Sequence, residues 1–230
     1  MAEFISEPSI IDMIRVYTHC IFLMLLFFVS CKDHGKGDEK IQDHGRLQTA
    51  DTALINRREK TLRMLAGKQP DSTLVLVRQA EDDARKIQYQ EGLARLLFLD
   101  GRLLYQLNRT REAIGILTDA YSLASKYDLK KLEADCLERM ASIMLSSDGG
   151  LSLKYYLDAL TIYEQLDDSQ GIAKVYNIIG VFKMEAGLFD TAEVYLKKAI
   201  NINRKIHNDF SLIESRGNLD HKVTAAEFER

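Results

Sequence analysis

The chain has 230 residues, of which 46% are apolar and 28% charged, with two Pro, no Trp and a formal net charge of -3. This composition describes a helical globular protein with ample core for one domain. The slight negative balance, with no window dense in Lys and Arg, gives no reason to expect nucleic acid as a partner.

The N-terminal stretch differs in kind from the rest. Residues 20–31, CIFLMLLFFVSC, open with ten uninterrupted apolar residues and pass at once into the polar KDHGKGDEKIQDHGR. The run is too short to cross a bilayer core and matches the apolar heart of a secretory signal. Met1 to Asp12 is acidic, whereas a start at Met13 places Arg15 ahead of the run, so Met13 reads as the natural start. FVSC, residues 28–31, resembles a bacterial lipobox, with Phe28 where that family usually has Leu. The resemblance implies that residues 1–31 are a signal peptide and that Cys31 is acylated, becoming the lipid attachment point and mature N-terminus. Several acyl chains give durable anchoring, at about 0.8 kcal/mol per buried CH2. The alternative is a single uncleaved membrane helix over residues 14–30.

Residues 32–47 read as a flexible tether, too polar to bury a core. His34 and His44, with Asp33, Asp38 and Asp43, share no fixed scaffold, so no metal site is expected. GKGDEK lacks the strand and the Gly-Lys-Ser/Thr ending of a phosphate loop.

From residue 48 the chain repeats itself. EGLARLLFLDG at 91–101 returns as QGIAKVYNIIG at 170–180, with KLEADCLERMA at 131–141 between them, and a second small residue recurs as Ala80, Ala120, Ala159 and Ala199. A period of about 40 residues means an array whose units bury their apolar faces by stacking. Each unit carries two stripes at helical spacing, as in Ile172, Val175, Tyr176 and Ile179 followed by Ala192, Tyr195, Leu196, Ala199 and Ile202. LNRT at 107–110, SSDGG at 146–150 and AGLFD at 186–190 read as the joining segments, short enough to make each unit an antiparallel hairpin. The expected units are 48–88, 89–129, 130–168 and 169–208, with a partial unit 209–230 in which Leu212, Ile213 and Asn218 echo Ile172, Ala173 and Asn177. The small residues Gly101, Ala141 and Gly180 allow helix axes to approach closely.

This order of small and large residues resembles the tetratricopeptide repeat (TPR). Its six marker positions read Leu97, Gly101, Leu104, Ala113, Leu117, Ala120, then Leu137, Ala141, Met144, Ser152, Tyr156, Ala159, then Tyr176, Gly180, Lys183, Ala192, Leu196, Ala199; Ser152 and Lys183 depart from it. The resemblance implies an all-α, right-handed solenoid of antiparallel helical hairpins. It also implies a concave face built from the first helix of each unit, which grips an extended peptide or a partner helix. Carried over, that face is Arg95, Phe98, Arg102 and Tyr105, then Asp135, Glu138, Ser142 and Leu145, then Lys174, Asn177, Val181 and Met184. Its charge runs basic, acidic, basic. Only Lys174 and Asn177 echo the paired Lys and Asn with which some members hold a C-terminal carboxylate.

The array shows no catalytic constellation, and no cofactor, metal or small-molecule substrate is expected. Cys136 stands alone in the folded part and reads as a small core residue. The expectation is a non-enzymatic scaffold, lipid-anchored in the bacterial cell envelope and facing the periplasm or cell exterior, that binds a protein or peptide. The alternatives are the sensory or regulatory portion of an envelope signalling protein or transcriptional regulator, truncated or separately encoded, and an intracellular regulatory array.

Overall fold

The computed structural model describes residues 51–228, with side chains to residue 220. The expected signal segment, Cys31 and the tether lie outside the described residues. From Leu54 onward the chain forms one compact unit. Among the described residues all regular structure is helical, and no helix is long and apolar enough to cross a membrane.

The helices are α1 (51–65), α2 (Pro70–Lys86), α3 (Gln90–Gln106), α4 (Thr110–Lys126), α5 (Lys130–Met144), α6 (Gly149–Gln165), α7 (Ser169–Glu185), α8 (Phe189–Lys205) and α9 (Asp209–Phe228). Gly149, Gly150, Phe189 and Asp190, read above as connection, open helices instead. A helix tolerates glycine in its first turn when a side chain caps it, and Asp148 accepts from Leu151 N at 2.9 Å.

One turn recurs through the chain. Gln88, Asn108, Asp128, Asp167, Gly187 and His207 all have positive φ, between 52° and 71°. Each sits two residues past a helix end. There the amide of the next residue donates back into the last turn, as Arg109 N does to Leu104 O at 2.8 Å and Leu188 N to Lys183 O at 2.9 Å. This is the Schellman closure, which satisfies the terminal carbonyls and reverses the chain in three residues. Asn and Asp accept the left-handed conformation better than most residues, and Gly accepts it without strain.

The turn explains the period. A 17-residue helix and a three-residue turn place helix starts at Pro70, Gln90, Thr110 and Lys130, and two such steps make one unit of 40. The α5–α6 connection breaks the metre. There α5 has 15 residues and the chain needs four more, Leu145 to Asp148, so that unit is one residue short.

Helices pair as expected of hairpins, with α3 on α4, α5 on α6 and α7 on α8. The small residues set the distance. A Cβ on Gly101 would lie 2.6 Å from Leu117 Cγ, and one on Gly180 would lie 2.7 Å from Leu196 Cγ. In the middle hairpin Ala141 replaces glycine, and buried Ser152 donates to Ala141 O at 2.8 Å, so the serine that departs from the pattern is satisfied at the crossing itself. Ala113, Leu117, Ala120, Ala159, Ala192, Leu196 and Ala199 are all fully buried, in keeping with the assigned register. Met144 and Lys183, at equivalent positions, are only half-buried.

Between hairpins, α3 also approaches α5 and α7 approaches α9, whereas α5 and α7 stay apart. The echo in α9 is imperfect. Ile213 is 71% exposed where its counterpart Ala173 is buried, and Phe210 beside it is 81% exposed. Asp220 stands at the twelfth position of α9, where α3, α5 and α7 carry Gly101, Ala141 and Gly180.

These crossings predict opposite effects for one substitution. Gly101→Ala and Gly180→Ala should each destabilise by about 1–3 kcal/mol through overpacking. Gly115→Ala, in exposed α4 with nothing near its added methyl, should stabilise by about 0.5–1 kcal/mol. Urea denaturation of the three variants checks this, and a uniform effect would overturn the register.

Candidate functional site

The first helices α3, α5 and α7 carry the face that the repeat pattern assigns to recognition, and the structure places its residues unevenly. Phe98, Glu138 and Asn177 are buried, Arg95, Asp135, Ser142, Val181 and Met184 half-buried, and Arg102, Tyr105, Leu145 and Lys174 exposed. Of the polar ones, Arg95, Glu138, Lys174 and Asn177 are tied to the equivalent helix of a neighbouring unit. Arg95 Nε donates to Glu59 at 3.1 Å, and its terminal amine to Asn56 at 2.8 Å and Tyr89 at 2.7 Å. Burial works against the Arg95 charge, but Tyr89 and Glu59 outweigh it and raise the guanidinium pKa. Lys174 reaches Glu138 at 2.7 Å, while Asn177 donates to Glu214 at 3.4 Å and accepts from Asn218 at 3.1 Å. Much of this face therefore joins unit to unit.

Lys131 and Asp135 add a second node. Lys131 contacts Asp135 at 3.1 Å and also binds Asp168, the N-cap of α7, which accepts from Gly171 N at 3.1 Å. Burial opposes the Lys131 charge, yet the two carboxylates hold its pKa above the usual lysine value. Tyr163, buried on α6, donates to Asp135 at 2.9 Å. Its hydroxyl pKa is pushed far up, by burial first and by Asp135 next.

Two cavities open on this face. The larger, about 570 Å³, is walled by Arg63, Arg95, Lys130 and Lys131, by Asp128 and Asp135, and by Leu129, Leu132 and Leu166. Its volume falls within the usual range of ligand pockets, and its lining combines an apolar floor with charges of both signs. The smaller, about 240 Å³, lies between α3 and α5 and includes Arg102, Tyr105 and Arg139. Arg139 is missing from the sequence-derived set. The signal for it was weak, because it lies one position beyond Glu138 and only the packing of α5 on α3 turns it toward Arg102.

Sequence reasoning also missed a buried acid pair. Glu81 on α2 and Asp100 on α3 are 4% and 1% exposed. Arg85 donates to Glu81 at 3.1 Å and Arg78 to Asp100 at 3.0 Å, leaving Glu81 Oε1 and Asp100 Oδ1 buried without a partner. Burial, then the neighbouring Asp100, pushes the Glu81 carboxyl up to about 7. A carboxyl poised there suits proton transfer, but Glu81 lines neither cavity and is sealed between helices. Cys136 is likewise fully buried, and burial raises its thiol pKa far above the reactive range. Among the described residues no three metal-ligating side chains converge.

The acid pair makes stability depend on pH. Below about pH 4.5 Glu81 is neutral folded or unfolded; between there and pH 7 the folded chain keeps a proton that the unfolded chain releases, so stability falls as pH rises. Glu81→Gln should remove this loss, gaining roughly 1–3 kcal/mol over wild type on going from pH 4.5 to pH 8. Denaturation at both pH values measures it, and parallel curves would exclude the raised carboxyl.

No protein-family model matches the sequence, and no curated protein matches it. Solved structures do. BtubC (BKLC) from P. vanneervenii is similar at 20% identity, covering 78% of this chain and 84% of its own, with a TM-score of 0.57. Aspartyl phosphate phosphatase F from Bacillus subtilis is similar at 18% identity, covering 79% of this chain and 47% of its own, with a TM-score of 0.68. A STAND protein with a tetratricopeptide repeat sensor, PH0952 from Pyrococcus horikoshii, is similar at 14% identity, covering 75% of this chain and 27% of its own, with a TM-score of 0.64. The chain thus spans under half the length of the last two. At these identities the likeness is one of fold: an all-helical, TPR-like solenoid.

Proposed function

We propose that this protein is a non-enzymatic interaction scaffold, anchored in the bacterial cell envelope by a lipid on Cys31, that receives a protein or peptide along its first helices. The observation that carries the reading is the 570 Å³ cavity on that face, where an apolar floor and charges of both signs lie open between α1, α3 and α5. The fold supports it, because stacked hairpins present a continuous surface of this kind. FVSC at the end of an apolar run supports the anchor.

A second reading, the sensory part of a signalling protein, is favoured by the similarity to PH0952, whose own repeats are described as a sensor and of which the chain spans 27%. The two readings share the same face and differ in what lies beyond it.

Cys31→Ala should move the protein out of the membrane fraction and abolish labelling by a fatty-acid probe while leaving its helical content unchanged. Retention in the membrane, unprocessed, would mean an uncleaved helix instead. For the binding face, a photo-crosslinking residue at Tyr105 or Met184 should capture a partner from envelope extract that the same residue at Lys197, exposed on α8, does not. Identical captures at all three positions would remove the first helices as the recognition face.

A further inference from the structure

The smaller cavity holds an electrostatic arrangement found at no other charged cluster described above. Arg63, Arg95, Lys131 and Lys174 all have carboxylate partners. Arg102 on α3 and Arg139 on α5 have none: neither guanidinium makes an ion pair or a side-chain hydrogen bond within the described residues. Arg139 Nε is buried without an acceptor. Both residues line one cavity of about 240 Å³, with Tyr105 and Gln106 as further polar walls and Leu99 and Leu103 as the apolar part. No acid lines it.

The nearest acids are already engaged. Glu138 is held by Lys174 at 2.7 Å, and Asp135 by Lys131 at 3.1 Å and by the Tyr163 hydroxyl at 2.9 Å. Partial burial, then Arg139, then Arg63 lowers the Arg102 pKa, against a smaller opposing pull from Glu138 and Asp135, neither of which pairs with it directly. The fold positions both arginines through backbone packing, since α3 and α5 approach each other directly as well as through α4. Arg102 also lies over the Phe98 ring, 5.9 Å from its centre, which limits where the guanidinium can go.

We propose that this cavity is a binding site for the dianion of a phosphate monoester, held jointly by Arg102 and Arg139. Two positive charges with no direct ion-pair partner match a group carrying close to two negative charges, whereas a single carboxylate would leave one charge unanswered. Each guanidinium can place paired N–H donors on phosphate oxygens, a geometry that lysine lacks. The volume suits a small oxyanion and excludes a folded segment. The proposal rests on the reading of the first helices as the recognition face, and it assigns the chemistry of one subsite on it.

The full chain in detergent, titrated calorimetrically at pH 8 with inorganic phosphate, with acetate, and with a phosphoserine peptide and its unphosphorylated form, tests the assignment. Phosphate should bind and acetate should not. Arg102→Gln and Arg139→Gln should each weaken phosphate by about tenfold or more, while Arg111→Gln, exposed on α4, should leave it unchanged. Without phosphate, Arg139→Gln should not melt below wild type, because it removes one of two like charges; a drop would assign that arginine to the structure and overturn the site. Binding should also weaken at pH 5.5, where the monoanion dominates. Tighter binding of the phosphopeptide than of phosphate supports a protein segment as the source. Equal binding supports the anion site and counts against a protein source, so the two readings fail separately. Absence of phosphate binding, equal binding of acetate, or indifference to both arginines would overturn the proposal.

Discussion

The fold depends on how closely two helices can cross. At Gly101 and Gly180 the backbone of the first helix meets the side chains of Leu117 and Leu196 with no room for a methyl group. Burying such a leucine contributes roughly 1.5–3 kcal/mol, and the contact repeats in each hairpin. In the middle hairpin an alanine and a hydrogen-bonded serine do the same work with different chemistry. With the crossing distance set, the fully buried alanines at Ala120, Ala159 and Ala199 leave room for the next helix, and the array propagates by repetition. The left-handed residue in the six three-residue turns has a complementary part, since it fixes the length of chain spent between crossings.

This layer was legible in the sequence because its requirements are local. Small residues at helical crossings leave a period that survives every other change, and Ser152 and Lys183 stand out because they do not fit it. The joins were read less well. Gly149, Gly150 and Asp190 are turn-formers by type, yet each lies in the first helical turn, where backbone amides need no partner inside the helix. The α9 echo failed for a related reason: Ile213 resembles Ala173 in hydropathy, but α7 has α8 packed on it, and no helix is packed in that way on α9 among the described residues.

The recognition face was legible in outline and not in its pairing. Arg95 answers Glu59, Lys174 answers Glu138, and Asn177 answers Glu214 and Asn218, all across 36 to 41 residues. Glu59 lies in α1, whose segment carries none of the repeat's marker positions, so no spacing rule could have matched it to Arg95. The buried Glu81 and Asp100 were hidden in the same way, each looking like an ordinary surface acid beside an arginine. What distinguishes Arg102 and Arg139 is likewise relational. Neither is unusual by type, and their shared lack of a counterion emerges only when every nearby acid has been assigned elsewhere.

The separation of α5 from α7 has a mechanical meaning. On either side of it first helices support one another directly, but here the two halves of the array meet through α6 and α7, with Gly171 under the Tyr163 ring and Phe182 set edge-on to Tyr156 at 6.5 Å. A hydrogen bond from the Tyr176 hydroxyl to Glu164 at 3.2 Å also crosses, with two ionic links, Lys174 to Glu138 and Lys131 to Asp168, from lysines that are 48% and 55% exposed. Exposed charges weaken as mobile ions screen them, and apolar contacts do not. Salt should therefore weaken part of what holds the second hairpin to the third and leave the aromatic part of that seam in place.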